Sequence, residues 1–362
     1  MWTVSTTDKR SITERIKTVA DKKKNTCEKN CRLGKVGGQA VLEGVMMKSG
    51  DRYALSVRTE DGIKTEIDSH VSLRKKYKIL NLPLVRGVVN MAESFSLSFK
   101  TLSRSAEMTG LEDMEPESKF ERWLTDKLGD KLMGVLMGIA GVLGVVVAMF
   151  LFMYLPAAIA SLFDGIIKAT WAKAIIEGVI KIAIFVGYMV AVSFMPDIKR
   201  TFEYHGAEHK SIACYESDME LTPENAAKCT RLHPRCGTSF IFVVLIISIV
   251  IFMFPIFPWE NKLLRVLCKL VMLPLIAGLS FEFIMYAGKH DNILTKILSA
   301  PGLAMQKITT REPTLEQLEV AIKSLKMALP DEFPEVADEL AAIEAEKVAE
   351  AEKKDEPEES AE

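Results

Sequence analysis

Leu132-Met133-Gly134-Val135-Leu136-Met137-Gly138-Ile139-Ala140-Gly141-Val142-Leu143-Gly144-Val145-Val146-Val147-Ala148-Met149-Phe150-Leu151-Phe152-Met153-Tyr154-Leu155-Pro156-Ala157-Ala158-Ile159-Ala160-Ser161-Leu162-Phe163 decides the architecture, because these 32 residues between Lys131 and Asp164 carry no charge. An uncharged apolar stretch of about 18 residues or more reads as a membrane-spanning helix. Cys236 to Trp259 adds 24 uncharged residues. Yet 26% of the 362 residues are charged, and mean hydropathy is only +0.15. Apolar and charged residues are therefore segregated along the chain. That pattern excludes a secreted or simple cytosolic enzyme and predicts a polytopic membrane protein with soluble extensions.

Outward from these two runs, four spans are expected, at about 133–160, 174–196, 237–258 and 266–288. The second contains Glu177 and Lys181, spaced to pair on one helix face. The fourth has 19 residues between Lys269 and Lys289, with Glu282 as its only charge. The short loops 162–173 and 259–265 hold two Lys/Arg each, whereas the loop 197–235 holds six. The positive-inside rule then puts both termini and the long loop in the cytoplasm. Residues 331–362 carry 14 acidic residues and three lysines, a balance of −11. The overall charge is −2, so the remaining body is +9, a sign suited to the anionic cytoplasmic leaflet. No basic helix with interleaved aromatics suggests nucleic acid. The six cysteines show no disulfide-dense pattern, so reduced thiols are expected.

The extensions divide further. Residues 1–35, with ten Lys/Arg against four Asp/Glu, read as a disordered basic arm. Residues 36–70 predict a small cytoplasmic antiparallel sheet: a glycine-bounded apolar run from Val36 to Met47, a turn at Ser49-Gly50-Asp51, and alternation around Asp61-Gly62. Residues 71–130 form an amphipathic helical region, with Leu84, Val88, Met91, Phe95, Phe99 and Leu102 at helical spacing, expected to pack on the sheet because its polar face is serine-rich and not lysine-rich, with the membrane surface as the alternative. Spans one and two occupy 131–198, the polar loop 199–236, and spans three and four 237–290. A helical region at 291–330, with Pro313 to Leu329 amphipathic, precedes an acidic disordered tail at 331–362. The fold class is thus an α+β membrane protein: four transmembrane helices, a small cytoplasmic β domain and amphipathic helices.

Chemistry concentrates in Glu203-Tyr204-His205-Gly206-Ala207-Glu208-His209-Lys210. His205 and His209 are four apart, so on a helix both imidazoles leave one face and can share a metal. With Glu208 this is His-x-x-Glu-His, the inverted-zincin order, in which the two histidines bind zinc and the glutamate activates water. Two histidines do not complete a site. His233 and Cys236 would close a four-coordinate structural zinc; Glu282 would instead leave a position open. A pair with a basic residue such as Lys181 is the other role for Glu282, and capping of the third span the other role for His233. Glu43 reads as a sheet-edge carboxylate rather than a group reaching a site beneath the membrane, and Arg86-Gly87 as a helix start rather than an anion contact. Cys27-x-x-x-Cys31 lacks a partner pair.

Gly37-Gly38-Gln39-Ala40-Val41-Leu42-Glu43-Gly44-Val45-Met46-Met47, Pro83-Leu84-Val85-Arg86-Gly87, the histidine segment, and Leu232-His233-Pro234-Arg235-Cys236-Gly237-Thr238-Ser239-Phe240 together resemble the YqhQ-like family. That is a bacterial membrane family of unknown function, often labelled a predicted metal-dependent enzyme. The resemblance spans about 35–312 and implies a multi-pass bacterial cell-membrane protein. The residues add a cytoplasm-facing divalent-metal site, zinc by its donors, with His205 and His209 as ligands, Glu208 as base, and Glu282 or His233 as third ligand. A hydrolase acting on peptide, membrane-protein or lipid-like substrates at the bilayer is the leading expectation. A scaffold holding a structural metal through the histidines and Cys236, or holding none, is the alternative; transport fits less well, since no repeat is evident. Cysteine labelling in intact cells should find positions near 50, 215 and 320 in the cytoplasm and those near 168 and 262 outside. Cytoplasmic exposure of 168 would invert the arrangement.

Overall fold

The computed structural model describes residues 32–110, 132–233, 235–254, 257, 261–287 and 293–355. Most of the expected basic arm, with Cys27 and Cys31, lies outside them, as do Pro234 and the chain end beyond Asp355. The chain divides into two units, each assembled from segments far apart in sequence: 1–70, 203–231 and 312–362 form the first, 71–202 and 232–311 the second.

In the first unit, β1 (Val36–Val41), β2 (Gly44–Ser49), β3 (Arg52–Thr59) and β4 (Gly62–Ser69) make an antiparallel meander in sequence order. The tight turns select for left-handed backbone. Gly50 (φ +60°) and Gly62 (φ +126°) supply it cheaply, whereas Glu43 (φ +51°) adopts it without glycine's freedom. The helix Leu315–Ala328 lies across β2 and β3 and buries Leu318, Ala321, Ile322 and Leu325 against Val45, Met47 and Ala54. Its start carries a reciprocal capping box between Thr314 and Gln317. Ser324 reaches the sheet backbone: its hydroxyl donates to Ala54 O at 2.8 Å and accepts from Met47 N at 3.1 Å. From Ala337 to Asp355 the chain is helical, where acidic composition predicted a disordered tail. Alanine and glutamate are good helix formers, and Leu340 and Ile343 dock on the core.

The second unit is helical. Labelling its principal helices and the one that enters the first unit, α1 is Val85–Met108, α2 Leu132–Met149, α3 Thr170–Val192, α4 Pro196–Glu216, α5 Gly237–Phe252, α6 Lys262–Ala287 and α7 Ile293–Thr309. The end of α2 widens into a π-helical turn at Phe150–Tyr154 before Leu155–Ala160. Among the described residues, three helices are long and apolar enough to cross a membrane: Gly141–Phe163, Thr170–Val192 and Leu263–Ala287. The third expected span, 237–258, contains the 16-residue α5, about 24 Å at 1.5 Å per residue and short of a hydrocarbon core of about 30 Å.

Two expectations are corrected here. Glu177 does not pair along its own helix with Lys181; it turns across to Lys269 of α6, with Arg265 Nε 3.8 Å from its other oxygen. A buried carboxylate among apolar helices needs a cation at close range, and α6 presents two. The second concerns α1, which was expected on the sheet and packs instead on α6. A Cβ on Gly87 would stand 2.9 Å from Gly278 Cα, and one on Gly278 2.7 Å from Leu84 O. Only glycine at both positions permits that approach.

Ser324→Ala should lower stability by about 1–3 kcal/mol, since a buried acceptor for Met47 N–H and a donor to Ala54 O disappear together. Thermal unfolding of the detergent-solubilised protein measures this; an unchanged midpoint would show that the sheet does not depend on this bridge.

Candidate metal centre

Proline at the start of α4 and Asp197 in its first turn suit a helix N-terminus, and α4 then carries Tyr204, Gly206, Ala207, Glu208, His209, Lys210 and Ser211 in a nearly unbroken buried run. Such a run needs a partner for nearly every polar group. Tyr204 donates its hydroxyl to Glu43 Oε2 at 3.3 Å, so the turn carboxylate of the sheet does reach the histidine segment. The Lys210 ammonium donates to Ala227 O at 2.7 Å and meets Glu312 Oε2 at 2.9 Å. Glu312 also faces Arg231 Nε at 3.4 Å.

Arg231 in turn orients a histidine. Its carbonyl oxygen lies 2.6 Å from His209 Nδ1. A carbonyl only accepts, so Nδ1 carries a proton, and in the neutral ring Nε2 keeps the lone pair. This is the tautomer of a metal-ligating imidazole held from behind by a backbone oxygen. His209 is 1% exposed. The rings of His205 and His209 lie 4.4 Å apart at 65°, and a ligand nitrogen of each falls within 4.8 Å of the other. The spacing of four thus does bring both imidazoles to one place.

Between them in sequence, Glu208 is buried, and its Oε2 has no hydrogen-bond partner. Burial pushes its carboxyl up to about 7, against the opposing pull of His205. The wall beside it is backbone of the sheet. A Cβ added to Gly38 would stand 3.1 Å from Glu208 Cγ, 2.7 Å from Met46 O and 2.8 Å from Met47 Sδ.

The remaining candidates belong to the second unit. His233 is held by its main chain: its N–H donates to Gln306 Oε1 and its carbonyl accepts from Gln306 Nε2, each at 2.8 Å. Cys236 is the residue before α5, and its thiol accepts from Thr238 Oγ1 at 3.3 Å. Glu282 lies on α6 with its carboxylate gripped by the Arg86 guanidinium, Nε to Oε1 at 2.7 Å and Nη2 to Oε2, while Leu84 N–H adds a contact at 3.3 Å. Arg86 is therefore more than a helix start. Glu282 also holds Leu84 in a left-handed conformation (φ +69°) that is strained for leucine. Sequence reading missed Arg231, Glu312 and Gln306. Their partners are 22 to 102 residues away, and no local pattern marks such contacts.

Comparison with known proteins follows the same lines. Residues 82–331 match the model of a family described as "Protein of unknown function (DUF1385)". A relative, "Uncharacterized protein YqhQ" of Bacillus subtilis (strain 168), is 36% identical over 298 residues, covering 81% of this chain and 92% of the relative. No solved structure matches.

Gly38→Ala should destabilise the protein by about 1–3 kcal/mol, because its methyl meets backbone that cannot yield. Gly37→Ala, with nothing within 4 Å, should stay within about 0.5 kcal/mol of the parent. Paired thermal melts check the difference, and equal midpoints would remove the close packing of β1 on Glu208.

Proposed function

The chain belongs to the DUF1385 family, and for it we propose an integral membrane protein that holds a divalent metal, zinc by its donors, on the His205–His209 pair and uses Glu208 for hydrolysis. The observation that carries this reading is the imidazole pair with His209 clamped at Nδ1. The donor set fits the metal: two imidazoles at helical spacing, one oriented by a backbone carbonyl, beside a buried carboxylate oxygen with no hydrogen-bond partner. Of the third ligands expected, His233 and Cys236 follow Arg231 by two and five residues and are the better supported by chain reach. Glu282 is committed to Arg86.

When bound, the metal supplies Lewis acidity at the scissile carbonyl. His205 and His209 orient that centre, Glu208 takes the proton of the attacking water and passes it to the leaving group, and Gly38 keeps side chains off the carboxylate. The substrates are peptide or lipid-like amides at the cytoplasmic leaflet. Four spans, with α5 as the third, and cytoplasmic termini complete the reading, supported by the Lys/Arg asymmetry of the loops. A scaffold is the second reading. The thiol of Cys236 favours it, because His233 and Cys236 together with the two histidines would fill all four positions.

Metal analysis of the purified full-length protein tests the site. Stoichiometric metal is expected in the parent and lost in His205→Ala/His209→Ala; retention in the double variant would sink the site. Glu208→Gln separates the two readings. It should keep the metal and the expression level while abolishing complementation of a deletion strain, a base being worth roughly a hundred- to ten-thousand-fold in rate. Full complementation by metal-replete Glu208→Gln would establish the scaffold.

A further inference from the structure

Helix α1 turns its largest side chains outward. Its buried face carries Gly87, Leu97, Thr101 and Ser105, three of them small or hydroxylated. Thr101 Oγ1 bonds back to Leu97 O at 2.9 Å and Ser105 Oγ to Leu102 O at 2.7 Å, so these hydroxyls are satisfied within the helix. The other face carries Phe95, Phe99 and Leu102, spaced four and three apart and 69%, 65% and 44% exposed. In water a helix of this kind turns its aromatics inward; here Phe95 and Phe99 stay outward beside the exposed Ser94 and Ser96. Small residues at the helix contact and large apolar residues outside are the signature of packing in lipid.

Three further observations name what covers this face. The helix α1 is clamped to α6 through the Gly87–Gly278 approach and the Arg86–Glu282 pair, and α6 contains a candidate membrane span. That helix also exposes large apolar residues, Leu267 at 54% and Val271 at 63%, so the aromatic face of α1 belongs to a unit already surfaced for lipid. Immediately upstream, Arg74, Lys75, Lys76 and Lys78 form a cationic stretch, with the exposed Tyr77 and Ile79 among them. Such a stretch suits anionic headgroups. Glu93, Lys100, Arg104 and Glu107 on α1 itself exclude a fifth span, because charges at that density stay at the interface.

We propose that α1 is an interfacial membrane helix whose Phe95–Phe99–Leu102 face is sunk in the acyl region of the phospholipid leaflet, anchored there by α6. The inference is independent of the metal reading.

The test uses the unmodified full-length protein, reconstituted in phosphatidylcholine–phosphatidylglycerol vesicles containing a phospholipid with a photoactivatable diazirine on its acyl chain. After irradiation and digestion, lipid adducts are expected at Phe95, Phe99 and Leu102 as well as on the apolar spans, with loss of labelling at Leu97 and Thr101. Adducts on the spans with none on α1 would overturn the proposal. A second measurement places benzoylphenylalanine at 95 or at 99, a conservative exchange on an exposed ring. Phospholipid adducts support the proposal; cross-links to a second copy of the chain or to another protein would replace lipid with a protein partner.

Discussion

Burying a charged helix is the constraint from which the first unit follows. Consecutive residues Glu208, His209 and Lys210 are all removed from solvent on α4, and an unpaired polar group there costs several kcal/mol. Lys210 is answered by Ala227 O and Glu312, and His209 by Arg231 O. Because Glu312 also meets Arg231, the two answers share one carboxylate, and the loop that orients the imidazole is fixed by the pair that neutralises the lysine. Glu208 differs from its neighbours: one of its oxygens has no hydrogen-bond partner. A fold that satisfies the residues on either side of a carboxylate and spares that oxygen retains a reactive group at a cost in stability.

The second unit meets the same difficulty by other means. Glu177 is met by two cations from α6, and Glu282 by the Arg86 fork. Neither pair involves a charge three or four residues away on the same helix. In low dielectric the partner must come from another element, because only a cross-helix pair joins segments that the hydrophobic effect cannot press together. Close approach at Gly87 and Gly278 does the same work with backbone.

What was legible in the sequence is what neighbours in the chain decide. Asp61-Gly62 between alternating residues announced the β3–β4 hairpin, the uncharged run announced the first apolar helix, and His205 and His209 at a spacing of four announced the imidazole pair. Three features were not legible, each for its own physical reason. Glu282 reads as an orphan carboxylate until Arg86 is placed beside it, 196 residues earlier. Serines 94 and 98 beside phenylalanines 95 and 99 specify an amphipathic helix, but the pattern does not say which face turns inward. At the acidic end net charge pointed to a solvated or partly helical tail, and the two apolar residues that pack on the core, Leu340 and Ile343, are a signal too sparse to read from composition.

The interleaving of the units bears on how the protein is made. The sheet leaves the ribosome first, yet the helix Leu315–Ala328 that covers it comes from the last quarter of the chain, after every candidate span has been synthesised. Until then Val45, Met47 and Ala54 lack their lid, and Lys210 lacks Glu312. Nascent chains therefore carry an uncovered apolar sheet through the whole of membrane insertion, the condition in which chaperones and proteases engage. A message truncated between codons 288 and 312 encodes every candidate span and no closed first unit. Closure of that unit thus waits for the segment that begins at Glu312.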